Sequence, residues 1–255
     1  MQGKTVIVTG ASRGIGWRLV ERFIGEGANV VACARTASRL ALLKESLQSS
    51  ALETVTADAS EPDDVAAVVK CAIDAFGQVD VLVNNAGSSG PTLEVERLSL
   101  KDWTDTINSS LTSSFLFVRE CVPHMKEQRG GAVVNIGSIV GKRPLAFRSP
   151  YAAAKMGLIG LTRTLSEELG PHGIRINTIC PGTVEGERLD EVMAAQAEKR
   201  GVSADQVSEW AQSLMPLNSF VTADDVTELV FFLASEKSRH MTGQDINVSG
   251  GQVTW

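Results

Sequence analysis

Thr5-Val6-Ile7-Val8-Thr9-Gly10-Ala11-Ser12-Arg13-Gly14-Ile15-Gly16 is the stretch from which the fold is read. Five consecutive β-branched residues favour an extended strand. Three glycines in the next seven positions then force a tight turn, and Trp17 to Ile24 has the composition of a helix. The order strand, glycine turn, helix is the opening of a βαβ unit.

Short β-branched runs recur along the chain at Asn29 to Ala34, Leu52 to Ala57, Val81 to Asn84, Ala132 to Ile136, Ile174 to Ile179 and Asp245 to Val248, separated by longer segments of helical period. Most of these runs are apolar on both sides, which requires helices over both faces. The pattern predicts an α/β fold: a Rossmann-type doubly wound parallel sheet of about seven strands, formed by residues 1–255 as one domain. Right-handed crossovers bring the strand carboxyl ends to one edge, where ligands collect. One connection, about residues 183–215, is long enough to be specialised. It reads as a helix from Asp190 to Lys199, a break at Gly201 and a second helix from Ser203, which is a structured cover over that edge.

With 255 residues, 43% of them hydrophobic, the chain can bury one large core. A net charge of -6 argues against nucleic acid or an anionic membrane as partner, because both reward concentrated Lys and Arg. Cys33, Cys71, Cys121 and Cys180 are scattered without CxxC spacing, so buried free thiols are expected, not disulfides or a metal site. No signal-peptide pattern and no long apolar stretch is present, and a cytoplasmic location is the simplest expectation.

The glycine turn is a phosphate cradle in prospect. Glycines let the backbone approach a pyrophosphate, while the free N–H groups and the positive end of the helix dipole stabilise the anion. Gly10, Ser12, Arg13, Gly14, Ile15 and Gly16 are therefore candidate dinucleotide-binding residues, although the spacing GxxxGxG differs from GxGxxG. Where NAD-binding proteins place an acidic residue after the second strand, this chain has Ala34 and Arg35. No carboxylate repels a 2′-phosphate there, and Arg35, helped by Arg13, can pair with it. NADP(H) is favoured on this ground; a solvated Arg35 and use of NAD(H) is the alternative. Asp58 could accept from the adenine amino group, and Asn85, Ala86 and Gly87 could line the adenosine ribose, though each also suits a plain strand-ending turn.

Ser138 follows the fifth strand, and Tyr151-Ala152-Ala153-Ala154-Lys155 opens the next helix behind Pro150. Tyr and Lys at i and i+4 share a helix face. Alcohol oxidation or carbonyl reduction needs a proton acceptor or donor at oxygen while hydride moves at carbon. A free tyrosine, with a pKa of about 10, is too weak a base near neutrality. An ammonium about 4 Å away, at an effective dielectric of about 20, contributes about 4 kcal/mol, enough to bring the phenol toward working pH. Tyr151 is the sole tyrosine of the chain, and an isolated aromatic at a helix start would usually be core packing. The neighbouring Ser138 and the shared edge with the glycine turn favour chemistry instead.

The motifs TGASRGIG, NNAG, Ser138 with YAAAK, Pro181-Gly182 and NVSGG, in this order, resemble the short-chain dehydrogenase/reductase family, over essentially the whole chain. The resemblance implies that Tyr151 is the acid/base and that Lys155 lowers its pKa and binds the nicotinamide ribose. It implies further that Ser138 orients the substrate, that Pro181, Gly182 and Val184 contact the nicotinamide, and that the protein is a homotetramer. Three positions depart from the family pattern. A catalytic Asn falls at Ser110, whose backbone carbonyl would then hold a water of the lysine relay; Asn108 is out of phase by two residues. Gly186 stands where Thr is common, and Ser249 where Asp is usual in NVSGG.

The reaction so read is hydride transfer between NADP(H) and a small-molecule alcohol or carbonyl. An NAD-dependent alcohol or polyol dehydrogenase and a non-catalytic NADP-binding regulator are the alternatives. A dehydratase or epimerase would need a longer C-terminal substrate region. Arg143, Arg148 and Arg188 could receive an acidic or polyol substrate, but surface solvation is the ordinary role of each. Leu189, Met193, Trp210, Leu214 and Met215 read chiefly as packing within the cover.

Overall fold

The computed structural model describes residues 1–255, the side chain of Arg188 excepted. Seven strands, β1 (Thr5–Thr9), β2 (Asn29–Ala34), β3 (Leu52–Thr56), β4 (Val81–Asn84), β5 (Gly131–Ile136), β6 (Ile174–Pro181) and β7 (Asp245–Val248), form one parallel sheet in the order β3-β2-β1-β4-β5-β6-β7. The predicted doubly wound fold is present. The strand order reverses between β1 and β4, and the crevice beyond their carboxyl ends is where such sheets bind ligands.

Nine α-helices connect the strands: α1 (Gly14–Gly25), α2 (Ala37–Leu47), α3 (Pro62–Phe76), α4 (Leu100–Ile107), α5 (Ser113–Glu127), α6 (Ser149–Leu169), α7 (Glu187–Arg200), α8 (Ala204–Ser213) and α9 (Ala223–Ala234). Strand alternation sorts the core into two layers. Val6 and Val8 of β1 face Leu19 and Phe23 of α1 and Val226 and Val230 of α9, whereas Ile7 faces Val65 and Val68 of α3 and Phe117 of α5. All these side chains are fully or almost fully buried.

Several boundaries differ from the sequence reading, among them the start of β5 at Gly131 and of the second cover helix at Ala204, behind its N-cap Ser203. The third strand ends at Thr56, because Ala57 keeps only a single backbone bond to Ala34. The sixth runs on to Pro181, which pairs in register with Val248 and needs no N–H at the strand end. The first cover helix begins three residues earlier, at Glu187. Cys33, Cys121 and Cys180 are buried and free, while Cys71 is only partly buried. Burial pushes the Cys33 thiol up to about 12 and Cys180 to about 11, so these groups stay protonated. Among the described residues no helix is long and apolar enough to cross a membrane.

The edge strand β7 is tied down by charge. Asp245 pairs with Lys142 and with Arg163 of α6, and the nearly buried Lys142 ammonium also donates to Asn247 and to the Trp255 carbonyl. Burial opposes the Asp245 carboxylate, but the hydrogen bonds from Lys142 and Arg163 outweigh it and hold the pKa below the ordinary 3.8. A depressed carboxylate stabilises the fold above its unfolded pKa and loses that contribution as pH falls through the folded value. Asp245→Asn, which takes away the carboxylate of a largely buried pair and leaves the Lys142 ammonium its remaining acceptors, should therefore cost about 3 kcal/mol in urea unfolding at neutral pH. The penalty should shrink as pH drops below 3.8; a penalty independent of pH would refute the ion-pair account.

Candidate active site

The end of β1 is built around one hydroxyl. Thr9 Oγ1 accepts from the N–H groups of Asn85 (3.0 Å) and Ala86 (2.9 Å), locking the loop after β4 to the glycine turn. Asn85 Nδ2 donates in return to the carbonyls of Thr9 (2.9 Å) and Gly10 (3.1 Å). The amide of Asn85 thus shapes the turn. Thr9 was not singled out in the sequence, although a threonine closing a strand just before the first glycine was the available signal. A Cβ on Gly16 would lie 2.3 Å from the Gly10 carbonyl oxygen, so the helix can start this close to the strand only with glycine.

Gly14, by contrast, faces open space: a Cβ there would meet nothing within 4 Å. It is the first residue of α1, whose N-cap, Arg13, supplies no side-chain cap. An uncapped helix start with an empty cradle in front of it fits the pyrophosphate of a dinucleotide. Gly10, Ser12, Arg13, Gly14 and Ile15 line the resulting cleft of about 1450 Å³.

Beyond the carboxyl end of β2 the cleft is lined by Arg35, Arg39 and Asp58. The Arg35 side chain is 74% exposed and sits 3.8 Å from Asp58. Asp58 also accepts from the N–H (3.0 Å) and hydroxyl (2.6 Å) of Ser60. Burial works against its carboxylate, yet the Ser60 bonds and the Arg35 charge hold its pKa below the ordinary range. Arg13 and Arg39 reach across to the cover, where Glu187 accepts from both at 3.2 and 3.5 Å.

The chemical end is carried by α6. Pro150 lies in its first turn, where a missing N–H is harmless, and places Tyr151 at the mouth of the cleft. Lys155, one turn on, is 4% exposed and donates from Nζ to the Ile136 carbonyl at the end of β5 (2.7 Å). Its ammonium is 5.7 Å from the centre of the Tyr151 ring. Ser138 lines the same cleft; its Oγ accepts from the Val140 N–H at 3.1 Å, which leaves the hydroxyl proton to be donated. Pro181, Gly182 and Val184 line the opposite wall. Ser249 packs behind them, with its Cα 2.9 Å from where a Gly182 Cβ would stand.

Ser110 is fully buried and sits in a π-helical turn, Asn108–Thr112, that joins α4 to α5. Its Oγ donates to the Ser88 carbonyl (3.2 Å), and its own carbonyl accepts from Ser114 (3.5 Å). A Cβ on Gly87 would touch Ser110 Oγ at 3.1 Å and Lys155 Nζ at 3.7 Å, so the three residues converge beneath the cleft floor. Asn108 and Ser109, not Ser110, reach the cleft surface.

Two further features escaped the sequence. A buried polar chain runs Asn84 to Asn135 (2.8 Å), Asn135 to Thr162 (2.9 Å) and Thr162 to Thr178 (2.7 Å), stitching β4, β5 and β6 to α6. Polar residues inside otherwise apolar strands were its signal. Arg148 is not solvated as a lone surface arginine would be: it is 4% exposed, donates to the Ser89 carbonyl (2.6 Å), and its Cζ lies 5.2 Å from the Tyr151 ring centre.

Residues of the 183–215 segment, from Thr183 to Leu214, line part of the cleft. Its first helix starts behind Gly186, which has φ of 121°, a conformation essentially restricted to glycine, which accounts for the departure from Thr. Met215 is core, as read from the sequence, but Leu189, Met193, Trp210 and Leu214 line the cleft, so most of these apolar residues face the site and do not merely pack the cover. The Arg188 side chain lies outside the described residues.

The family model for short chain dehydrogenases matches residues 4–197. The chain belongs to the short-chain dehydrogenase/reductase family. It is 34% identical over 251 residues to a Staphylococcus aureus protein named 3-oxoacyl-(acyl-carrier-protein) reductase FabG, covering 97% of both chains. It is 33% identical to the Thermotoga maritima protein of the same name, covering 99% of both. The crystal structure of levodione reductase superposes with a TM-score of 0.94 at 28% identity, covering 99% of this chain and 98% of that one. The protein is accordingly an oxidoreductase of this family, acting on CH–OH and carbonyl groups with NAD(P).

Proposed function

We propose that the protein is an NADP(H)-dependent carbonyl reductase in which Tyr151 is the acid/base. The observation that carries this reading is convergence: Tyr151, Ser138, the glycine turn and an arginine-rich adenosine end line one cleft, with the Lys155 ammonium buried just behind the phenol. NADPH, when bound along the cradle, supplies the hydride. The chain's own residues handle the proton. Ser138 donates to the substrate oxygen and orients it; Tyr151 gives its phenolic proton to that oxygen as charge develops there; the Lys155 ammonium stabilises the phenolate left behind. In the reverse direction Tyr151 takes the alcohol proton.

Gly10, Ser12, Arg13, Gly14, Ile15 and Gly16 hold the pyrophosphate, with Asn85, Ala86 and Gly87 beside the adenosine ribose and Asp58 toward the adenine. Lys155 holds the nicotinamide ribose, Pro181, Gly182 and Val184 back the nicotinamide, and the Ser110 backbone carbonyl holds a water of the proton relay from Lys155. Residues 1–255 act as one domain in which segment 183–215 covers the substrate. The relatives named above are reductases of carbonyl compounds, which supports reduction as the working direction. The location is proposed as cytoplasmic.

Arg35 and Arg13 favour NADPH through their pairing with a 2′-phosphate. NADPH should therefore bind more tightly than NADH in fluorescence titration. Arg35→Ala should weaken NADPH by about tenfold or more, the loss of one or two charge-assisted hydrogen bonds, and leave NADH nearly unchanged. Tighter binding of NADH by the wild type would refute the assignment. Assembly as a homotetramer is supported by Trp103, Phe115 and Met156, which stand 42%, 45% and 50% exposed on the successive helices α4, α5 and α6. Sedimentation should give a mass near four times 27.2 kDa; a monomer would contradict it.

A further inference from the structure

The Tyr151 ring is faced by two cations. One is Lys155, whose role the family resemblance already implies. The other is Arg148, just ahead of the phenol in the chain, whose guanidinium carbon stands 5.2 Å from the ring centre, against 5.7 Å for the Lys155 ammonium. Arg148 lies outside the motifs by which the family is recognised. It is nevertheless 4% exposed, and an arginine so enclosed has to be met by polar partners.

Stability of its own helix does not explain it. Arg148 is the N-cap residue of α6 but gives it no side-chain cap, and a cation at that end opposes the helix dipole. Its bonds go to the loop after β4 instead: Nη2 donates to the Ser89 carbonyl (2.6 Å) and Nη1 to the Thr92 hydroxyl (3.4 Å). Beside them the Leu93 N–H donates to the Phe147 carbonyl at 3.0 Å, fastening the same loop to the start of α6. The guanidinium is thus clamped over the ring, and unlike an ammonium it stays charged at any working pH.

Ionisation of a phenol spreads negative charge into the ring, so a fixed positive group facing the ring favours tyrosinate over the neutral form. Of the other charged groups on the cleft walls, Lys101 and Asp105 pair with each other at 2.6 Å, and Glu187 is held by Arg13 and Arg39. Arg143, Glu185 and Arg200 also line the cleft and are untouched by substitution at position 148.

We propose that Arg148 is a positioning residue for the proton transfer: clamped by the loop after β4, its guanidinium acts together with Lys155 to stabilise the tyrosinate of Tyr151. The inference rests on the reading of Tyr151 as the acid/base.

Tyr151 is the sole tyrosine of the chain, so the near-ultraviolet absorbance of tyrosinate titrates this one phenol without any substrate, with Tyr151→Phe as the blank. The wild-type midpoint should lie below the ordinary value of about 10. Arg148→Gln, which can still donate to the Ser89 carbonyl but carries no charge, should raise the midpoint by about one pH unit or more, whereas Arg148→Lys should stay within about half a unit of wild type. Lys155→Met, which keeps Arg148, should itself titrate below about 10, and this arm holds even where Arg148→Gln does not fold. Equal midpoints in wild type and Arg148→Gln, a rise that Arg148→Lys shares in full, or a Lys155→Met midpoint at or above about 10 would overturn the role of Arg148 and leave the reductase reading standing. A wild-type midpoint at or above about 10 would instead overturn the acidified phenol, and this inference with it.

Discussion

The ammonium of Lys155, bound to the carbonyl of Ile136 at the end of β5, sets the position of everything around it. An enclosed cation costs several kcal/mol unless a carbonyl or carboxylate meets it, so this bond fixes the axial register of α6 against the sheet. From the other side Gly141 presses its Cα to the same turn of α6: a Cβ there would come within 2.9 Å of the Lys155 carbonyl carbon. Pinned from both sides, the helix can present Tyr151 only at the carboxyl edge. Gly87 and Ser110 close in beneath the same ammonium.

The glycine turn and Tyr151 share that edge because two loops are locked to each other. Four hydrogen bonds join Thr9 and Gly10 to Asn85 and Ala86 across the β1–β4 switch point, and the polar chain from Asn84 to Thr178 continues the lock through β5 and β6 to α6. The cover is held differently. Its contacts with Arg13 and with Arg39 of α2 are exposed ion pairs of Glu187 and Glu191, which are weak and readily exchanged for other charges. A rigid floor under an exchangeable roof suits a site that must admit and release two ligands.

Local chemistry made most of this legible. Runs such as Thr5 to Thr9 announce strands buried on both faces, and glycines at 10, 14 and 16 announce a turn that approaches an anion. Tyr151 and Lys155, at one helical turn, were readable as a pair because the helix period is fixed. Tertiary context decided what could not be read. The π-turn at Asn108–Thr112, which buries Ser110, has no signature in the local sequence pattern. Arg148 and Gln196 look like surface residues in sequence, and only the folded cover and the loop after β4 enclose them. The cover's apolar residues have the period of packing, yet which side of each helix meets the cleft depends on where Gly186 and Gly201 turn the chain.

The central claim is that the Tyr151 phenol, and no other group, exchanges the proton with substrate oxygen. Steady-state turnover of Tyr151→Phe, measured beside its NADPH dissociation constant, tests it most directly. The phenyl ring keeps the packing and loses only the hydroxyl. Turnover should fall by about a thousandfold or more, within the range of lost acid–base catalysis, while NADPH binding stays within about twofold of wild type. Turnover near that of the wild type would contradict the account.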